Sequence, residues 1–173
     1  MALLDNLGPR PLYEQIDAVH QAIHLRGMYT ISRTALAVAN NGYHDIHVIP
    51  PAGYEAHLRF LIVTEGKAYL KTYLGTTYTV PGTAIIPFNR ATNGDATTLL
   101  AYHTPTINVL GTLRGDDMIP GGTGGNASGG NISGEFESVI SPLSDVLFRV
   151  QNVKGTAGDL NIILNYYLRK SLT

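Results

Sequence analysis

The chain has 173 residues and a mass of 18.6 kDa, the size of one ordinary domain with at most a short arm. Charged residues make up 14% and apolar residues 44%, and 12 Lys and Arg against 13 Asp and Glu give a net charge of -1. This composition argues against disorder, and it lacks the basic field that general nucleic-acid binding requires. The absence of cysteine excludes disulfides, thiolate metal sites and a cysteine nucleophile. A surface so poor in charge suits a protein that packs against neighbours.

Residues 1–19 are predicted to form an extended N-terminal arm, because a glycine and two prolines between residues 8 and 11 interrupt any regular ladder. The apolar spacing from Leu12 to Ile23 also fits one face of a short helix at the end of the arm. The start lacks the basic segment and continuous apolar core of a signal peptide, and no stretch is apolar enough for a membrane helix. We therefore expect a chain made in the cytoplasm that has no membrane partner.

Residues 20–173 are predicted to form one all-β domain, a jelly-roll-like antiparallel β-sandwich. Short β-like runs are separated by turn signals at intervals of about eight to twelve residues, which is typical of sandwiches and barrels. The last run is the clearest, because its apolar residues alternate with Asn161, Asn165 and Arg169. The predicted strands cover residues 28–38, 43–49, 55–64, 68–74, 83–87, 97–102, 107–110, 134–140, 146–152 and 160–168.

Residues 120–131 are predicted to be a flexible Gly-rich surface loop. The alternative is a phosphate cradle. A P-loop, however, requires a lysine after its glycines, and none follows here.

Six histidines are the main candidates for chemistry: His20, His24, His44, His47, His57 and His103. The enzyme alternative is a cupin-like metal-binding barrel, because the strand and turn rhythm of residues 53–66 and 75–89 is similar to the two cupin motifs. The ligands do not match: His57 stands alone where paired histidines are needed, and residues 75–89 contain no histidine. We therefore predict a non-enzymatic protein without a catalytic residue, metal or cofactor, whose histidines are structural or lie on the surface.

A further pattern extends along most of the chain as an ordered series of short segments. They are Ala22-Ile23-His24 with Gly27 and Tyr29; residues 46–50 with His57; Tyr73-Leu74, Gly82-Thr83 and residues 87–90; residues 103–106 and 111–113; the Gly-rich loop and Glu137; residues 147–152; and Tyr166-Tyr167. In this order the segments resemble the tailed-bacteriophage structural proteins that decorate or cement the capsid.

The resemblance implies a virion protein on the capsid exterior, whose partners are the major capsid protein and further copies of itself, most often as a homotrimer. The arm would lie along a capsid subunit, and its apolar contacts would be Leu3, Leu4, Leu7 and Leu12. Tyrosines of the predicted strands would serve self-association, namely Tyr69, Tyr73, Tyr78, Tyr166 and Tyr167. The main alternative is a carbohydrate- or receptor-binding β module of a head fibre or tail appendage, although the chain has no tryptophan for stacking on sugars.

Overall fold

The computed structural model describes residues 27–91, 93–122, 129–133 and 138–171. All regular structure in these residues is β, arranged in two six-stranded sheets and one two-stranded ribbon, with every strand pair antiparallel. The predicted antiparallel β-sandwich is thereby confirmed. The predicted arm and short helix lie outside the described residues, as do Leu3, Leu4, Leu7, Leu12, His20 and His24.

Sheet A is built around the longest strand, which lies between the first strand and the third. Its order is β11-β3-β14-β1-β7, and β12 pairs with β3 on the same edge as β11. The strands are β1 (Met28–Val38), β3 (Tyr54–Thr64), β7 (Phe88–Asn89), β11 (Gly130–Ser133), β12 (Ser138–Ile140) and β14 (Gly158–Lys170).

Sheet B has the order β10-β4-β13-β2-β8-β6, and a separate ribbon joins β5 and β9. The strands of sheet B are β2 (Tyr43–Ile49), β4 (Ala68–Leu74), β6 (Thr83–Ala84), β8 (Leu100–His103), β10 (Thr112–Ile119) and β13 (Val146–Asn152). The ribbon strands are β5 (Thr77–Val80) and β9 (Thr106–Val109).

The strand pairings are nested along the chain. The outermost pairs are β1 with β14 and β2 with β13, and inside them β3 pairs with β11 and β12, and β4 pairs with β10. Strands β1 to β4 therefore alternate between the two sheets, and the later strands return in the reverse order. This nesting is compatible with the jelly-roll-like arrangement that the sequence predicts.

The core lies between the two sheets, because alternate residues of each strand face it. In β14, Leu160, Ile162 and Leu164 are at most 2% exposed, whereas Asn161 and Asn165 lie on the other face, as predicted. Sheet B supplies the opposite layer, which includes Ile46, Val48, Leu70, Phe148 and Val150.

Predicted and observed strand bounds agree fully at β1, β2, β4 and β13, whereas the predicted run 97–102 begins three residues before β8. Residues 134–137 of the predicted run 134–140 lie outside the described residues. The strands β5, β7, β10 and β11 are not predicted by the sequence. The predicted Gly-rich loop is too long, since Gly130 and Asn131 belong to β11 and pair with Thr64 and Val63. Glycine is needed there because a Cβ on Gly130 would collide with the carbonyl of Pro120.

Candidate interaction surface

Residues 75–111, which we call the charge-poor insertion, connect the neighbouring strands β4 and β10 and contain β5 to β9. The insertion begins at Gly75 and ends at Gly111, whose φ angles are 71° and 80°. A Cβ on Gly111 would lie 2.8 Å from the carbonyl carbon of Gly75, so a larger residue could not approach this closely. Next to them, the Thr76 hydroxyl donates to the Leu110 carbonyl at 2.6 Å. The two ends of the insertion therefore meet at one narrow base between β4 and β10, while β6 and β8 extend sheet B and β7 extends sheet A.

The composition of this insertion differs from that of the rest of the chain. Of the 12 Lys and Arg and 13 Asp and Glu in the protein, it contains only Arg90 and Asp95, together with nine threonines. The backbone of Arg90 donates to the Met28 carbonyl at 2.8 Å, which places this residue beside sheet A. Strands β5, β6, β8 and β9 contain no Lys, Arg, Asp or Glu. Depletion of charge is the compositional mark of the buried core of a protein interface.

The edge strands of sheet B carry an exposed apolar row. The backbone amide of Ile85 donates to the Ala101 carbonyl, which continues the alignment of β6 and β8 toward Ile86 and Leu100, and Leu100 in turn pairs with Ile49 of β2. Ile86 is 92% exposed and Leu100 is 51% exposed. A contiguous apolar row is more informative than scattered apolar residues, because it offers area that a partner can bury. Three further large apolar side chains of the insertion are more than half exposed: Val80, Phe88 and Val109.

His47 of β2 fixes the insertion to the outer face of sheet B and is only 1% exposed. Its Nδ1 lies 3.1 Å from Asp145 Oδ1, and its Nε2 lies 3.0 Å from the Pro81 carbonyl oxygen at the end of β5. The rings of Tyr78 from β5 and Tyr102 from β8 lie 4.1 and 4.9 Å from the imidazole, centre to centre. The His47 side chain thus connects β2, the segment before β13 and the insertion.

The His47 ring has a polar partner on each side. A carbonyl oxygen only accepts, so Nε2 donates to Pro81. On the other side of the ring, Nδ1 faces the carboxyl group of Asp145. Burial, and the negative charge of Asp145, raise the pKa of the Tyr78 hydroxyl, which stays neutral beside the pair.

The remaining outer face of sheet B is charged and aromatic, in contrast to the insertion. Arg149 donates from Nε and from a terminal nitrogen to the two carboxylate oxygens of Asp45, at 2.8 and 2.7 Å. These hydrogen bonds raise the pKa of the Arg149 guanidinium, which lies 4.4 Å from the ring centre of Tyr43. The cross-strand register extends this pair to Lys71 and Asp116, so two basic residues lie between two acidic residues in a row across four strands.

The structure distributes the five tyrosines predicted for self-association over different environments. Tyr69 and Tyr73 lie on the outer face of β4 and are partly exposed, whereas Tyr78 lies beneath the ribbon against His47. Tyr166 is 0% exposed: its ring stacks on Tyr29 at 5.4 Å, and its hydroxyl donates to Thr97. The prediction for Tyr166 is therefore corrected, because the inward period of β14 places its side chain in the core.

Tyr167, the fifth tyrosine, lies on the outer face of sheet A and stacks on His57 at 4.7 Å. The Nε2 of His57 also lies 3.0 Å from Glu55 Oε1, so the histidine of the cupin-like segment has a carboxylate neighbour and a ring neighbour. Within residues 27–171, as far as the structure describes them, no group of three or more His, Asp or Glu side chains could hold a metal ion.

His44 of β2 and His103 of β8 lie on neighbouring strands of sheet B. His44 is 3% exposed and donates from Nε2 to the Arg33 carbonyl at 3.0 Å. Burial lowers the pKa of His44 and also that of His103, and the positive charge of Arg33 lowers both further. Both histidines therefore favour the neutral form in the folded protein.

Neither comparison with known proteins identifies a relative. No protein-family model matches the chain, and no curated protein is similar enough to establish a relationship. A helix long and apolar enough to cross a membrane does not occur among the described residues.

The sequence predicts structural or surface histidines but does not indicate the contacts of His47, because its partners Pro81 and Asp145 lie 34 and 98 residues away along the chain. The insertion, in contrast, had a readable signal. From Gly75 to Gly111 the sequence contains just two charged residues, and this interval could have been recognised as a separate surface.

Proposed function

We propose that this protein is a structural component of a tailed-phage virion that decorates the outside of the capsid, and that it docks on the major capsid protein through the charge-poor insertion. The observation that carries the proposal is the exposure of Leu100 and Ile86 on an element almost free of charge, with Ile49 of β2 paired to Leu100. The resemblance of the ordered sequence segments to capsid decoration proteins suggests the class of partner. The low charge of the whole chain agrees with a protein whose surface is packed against neighbouring subunits.

The physical basis of such docking is burial of apolar area, at about 25 cal/mol per Å² before the entropic cost of association. Interface cores exclude charge because a desolvated, unpaired charge opposes binding. The surface around Ile86 and Leu100 meets this condition, whereas the outer face of sheet B beside Arg149 does not. A capsid presents many equivalent sites, so modest contacts at each copy add up to stable cementing of neighbouring subunits.

The test is incubation of the purified protein with undecorated phage heads, followed by imaging of the particles. We expect additional density at regular lattice positions. The paired variant Ile86→Glu with Leu100→Glu places two charges in the apolar row and is expected to lower occupancy at least about tenfold, since each buried charge would cost more than 1 kcal/mol.

The matched control is Leu36→Glu with Leu143→Glu, because these side chains are 73% and 69% exposed and lie outside the insertion. The control should occupy heads as the wild type does. Absence of wild-type density would overturn the proposed function, and equal occupancy by the two double variants would overturn the assignment of the docking surface. The homotrimer and the capsid contacts of the arm stay predictions.

A second candidate function is carbohydrate binding, favoured by the tyrosines on the outer face of sheet B. Tyr43 is 50% exposed above Arg149, and Tyr69 and Tyr73 lie on the same face. Aromatic rings beside a hydrogen-bonding guanidinium suit the apolar face and hydroxyls of a sugar. A glycan array would show binding that Tyr43→Ala removes, and an array without any signal counts against this candidate.

A further inference from the structure

Strand β10 is an open edge of sheet B. It runs for eight residues, Thr112–Ile119, and pairs with β4 on one side and with no other described strand on its second side. No proline interrupts it, since Pro120 comes directly after its end. Such an edge offers a row of backbone donors and acceptors to any strand that can lie beside it.

The side chains of β10 alternate between the two faces of the sheet, with one irregularity. The register against β4 shifts between Leu113 and Gly115, so Arg114 and Gly115 together occupy one step of the ladder. Leu113, Asp116 and Met118 then share the outer face, because they pair with or flank the outward residues of β4. Asp117 lies on the inner face at this edge, together with Arg114, which lines the opening between the two sheets.

We propose that β10 pairs with β10 of a second copy of this chain, antiparallel across a two-fold axis, so that two copies of sheet B become one continuous sheet. An axis through Asp116 places Leu113 opposite Met118 of the second copy on the outer face. The same axis places Arg114 opposite Asp117 of the second copy on the inner face. Each pairing occurs twice by symmetry.

The self-complementarity of β10 selects this position of the axis. Leu113 and Met118 are 47% and 56% exposed, so their contact across the axis buries apolar area that is open in the single chain. A shift of the axis by one step in either direction brings Arg114 against Arg114 or Asp117 against Asp117, and separates Leu113 from Met118. Opposite charges stabilise a cross-strand pair and like charges destabilise it.

The arrangement has one unfavourable contact, because the two copies of Asp116 meet at the axis. Each has a lysine close by, since Lys71 Nζ lies 4.0 Å from Asp116 Oδ2. Removal of this repulsion should therefore tighten the pairing. The contact is two-fold and yields even-numbered assemblies, so it is a different surface from the three-fold contact implied by the resemblance, and it does not depend on capsid binding.

Sedimentation equilibrium of the full chain over a wide range of concentrations tests the proposal. We expect a monomer–dimer equilibrium in the wild type. Arg114→Asp alone, or Asp117→Arg alone, brings like charges together twice and should weaken dimerisation at least about tenfold. The combined variant Arg114→Asp with Asp117→Arg restores opposite charges and should return the dissociation constant to near the wild-type value. Asp116→Asn should tighten the dimer about two- to fivefold, the effect of one cross-strand like-charge pair.

Lys170→Asp, an exposed charge reversal at the end of β14, is the matched control and should dimerise as the wild type does. Circular dichroism of each variant verifies that the sheets are intact. A chain that stays monomeric at all concentrations, a trimer as the end state, or a combined variant that fails to restore the dimer would each overturn the proposal. These outcomes concern association in solution and leave the capsid test unaffected.

Discussion

The charge-poor insertion and the sandwich that carries it are held in place by different kinds of contact. The sandwich is stabilised by alternating rows of fully buried apolar side chains, such as Ile162 and Leu164 facing Leu70 and Val150. The insertion adds only Leu99 and Ala101 to the buried residues of that core. It is also held by the pairing of β8 with β2 and of β7 with β1, by a hydrogen bond at its base and by the buried imidazole of His47. The exposed apolar surface of the insertion is therefore largely separate from the interactions that make the chain fold.

The largest expected effect on the free energy of unfolding comes from replacing an isoleucine by alanine, once in the sandwich and once in the insertion. Ile162→Ala removes a fully buried side chain from the sandwich and should lower the free energy of unfolding by about 2–5 kcal/mol. Ile86→Ala truncates a side chain that is 92% exposed in the insertion and should change it by less than about 0.5 kcal/mol. Urea denaturation measures both, and equal losses would contradict the separation.

An intermediate effect is expected at the contact that joins the regions. His47→Ala leaves Pro81 and Asp145 without their hydrogen bonds, and should cost about 1–3 kcal/mol. Hydrogen exchange should show the amides of β5 and β9 losing protection while those of β14 retain it. Uniform loss of protection in all strands would show that His47 stabilises the whole fold and not specifically the attachment of the insertion. His103→Ala, at a partly exposed position of β8, is the control and should leave the ribbon protected.

The smallest expected effect is a pH dependence of stability at the edge where the two regions meet. The pKa values of His44 and His103 are lowered in the folded protein, mainly by burial, so the unfolded chain binds protons more readily. Their contribution to stability is complete above the unfolded pKa of about 6.5 and is lost as the pH falls through that value toward the lowered folded pKa values.

Urea midpoints at pH 7.5 and 5.5 measure this slope. We expect a lower midpoint at pH 5.5 in the wild type, and a flatter dependence in the double variant His44→Gln with His103→Gln. A slope that is unchanged in the double variant would assign the pH dependence to other groups.

The sequence predicted most of the framework because its strands obey a simple period. The alternation in β14 and the bounds of β1, β2, β4 and β13 could be read directly, since half-buried strands show their two faces in the order of residues. Strand β10 was missed because Arg114, Gly115 and two adjacent aspartates occupy an edge position, where burial imposes no apolar pattern.

The candidate surface was harder to predict than the framework. Its composition is visible in the sequence, but the adjacency of Ile49, Leu100 and Ile86 arises from pairing between distant strands. Tyr166 shows the converse difficulty. Aromatic residues suit both cores and interfaces, and only the inward register of its strand assigns it to the core.

The neighbouring glycines at positions 75 and 111 also bear on how such a protein can diversify. Because both ends of the intervening segment meet at one point, residues can be added or removed at its distal tips without displacing Leu74 or Thr112. Related sequences could vary these tips and keep the scaffold, provided that Leu99 and Ala101 continued to fill their places in the interior. The same junction marks where a foreign epitope could be displayed on the protein.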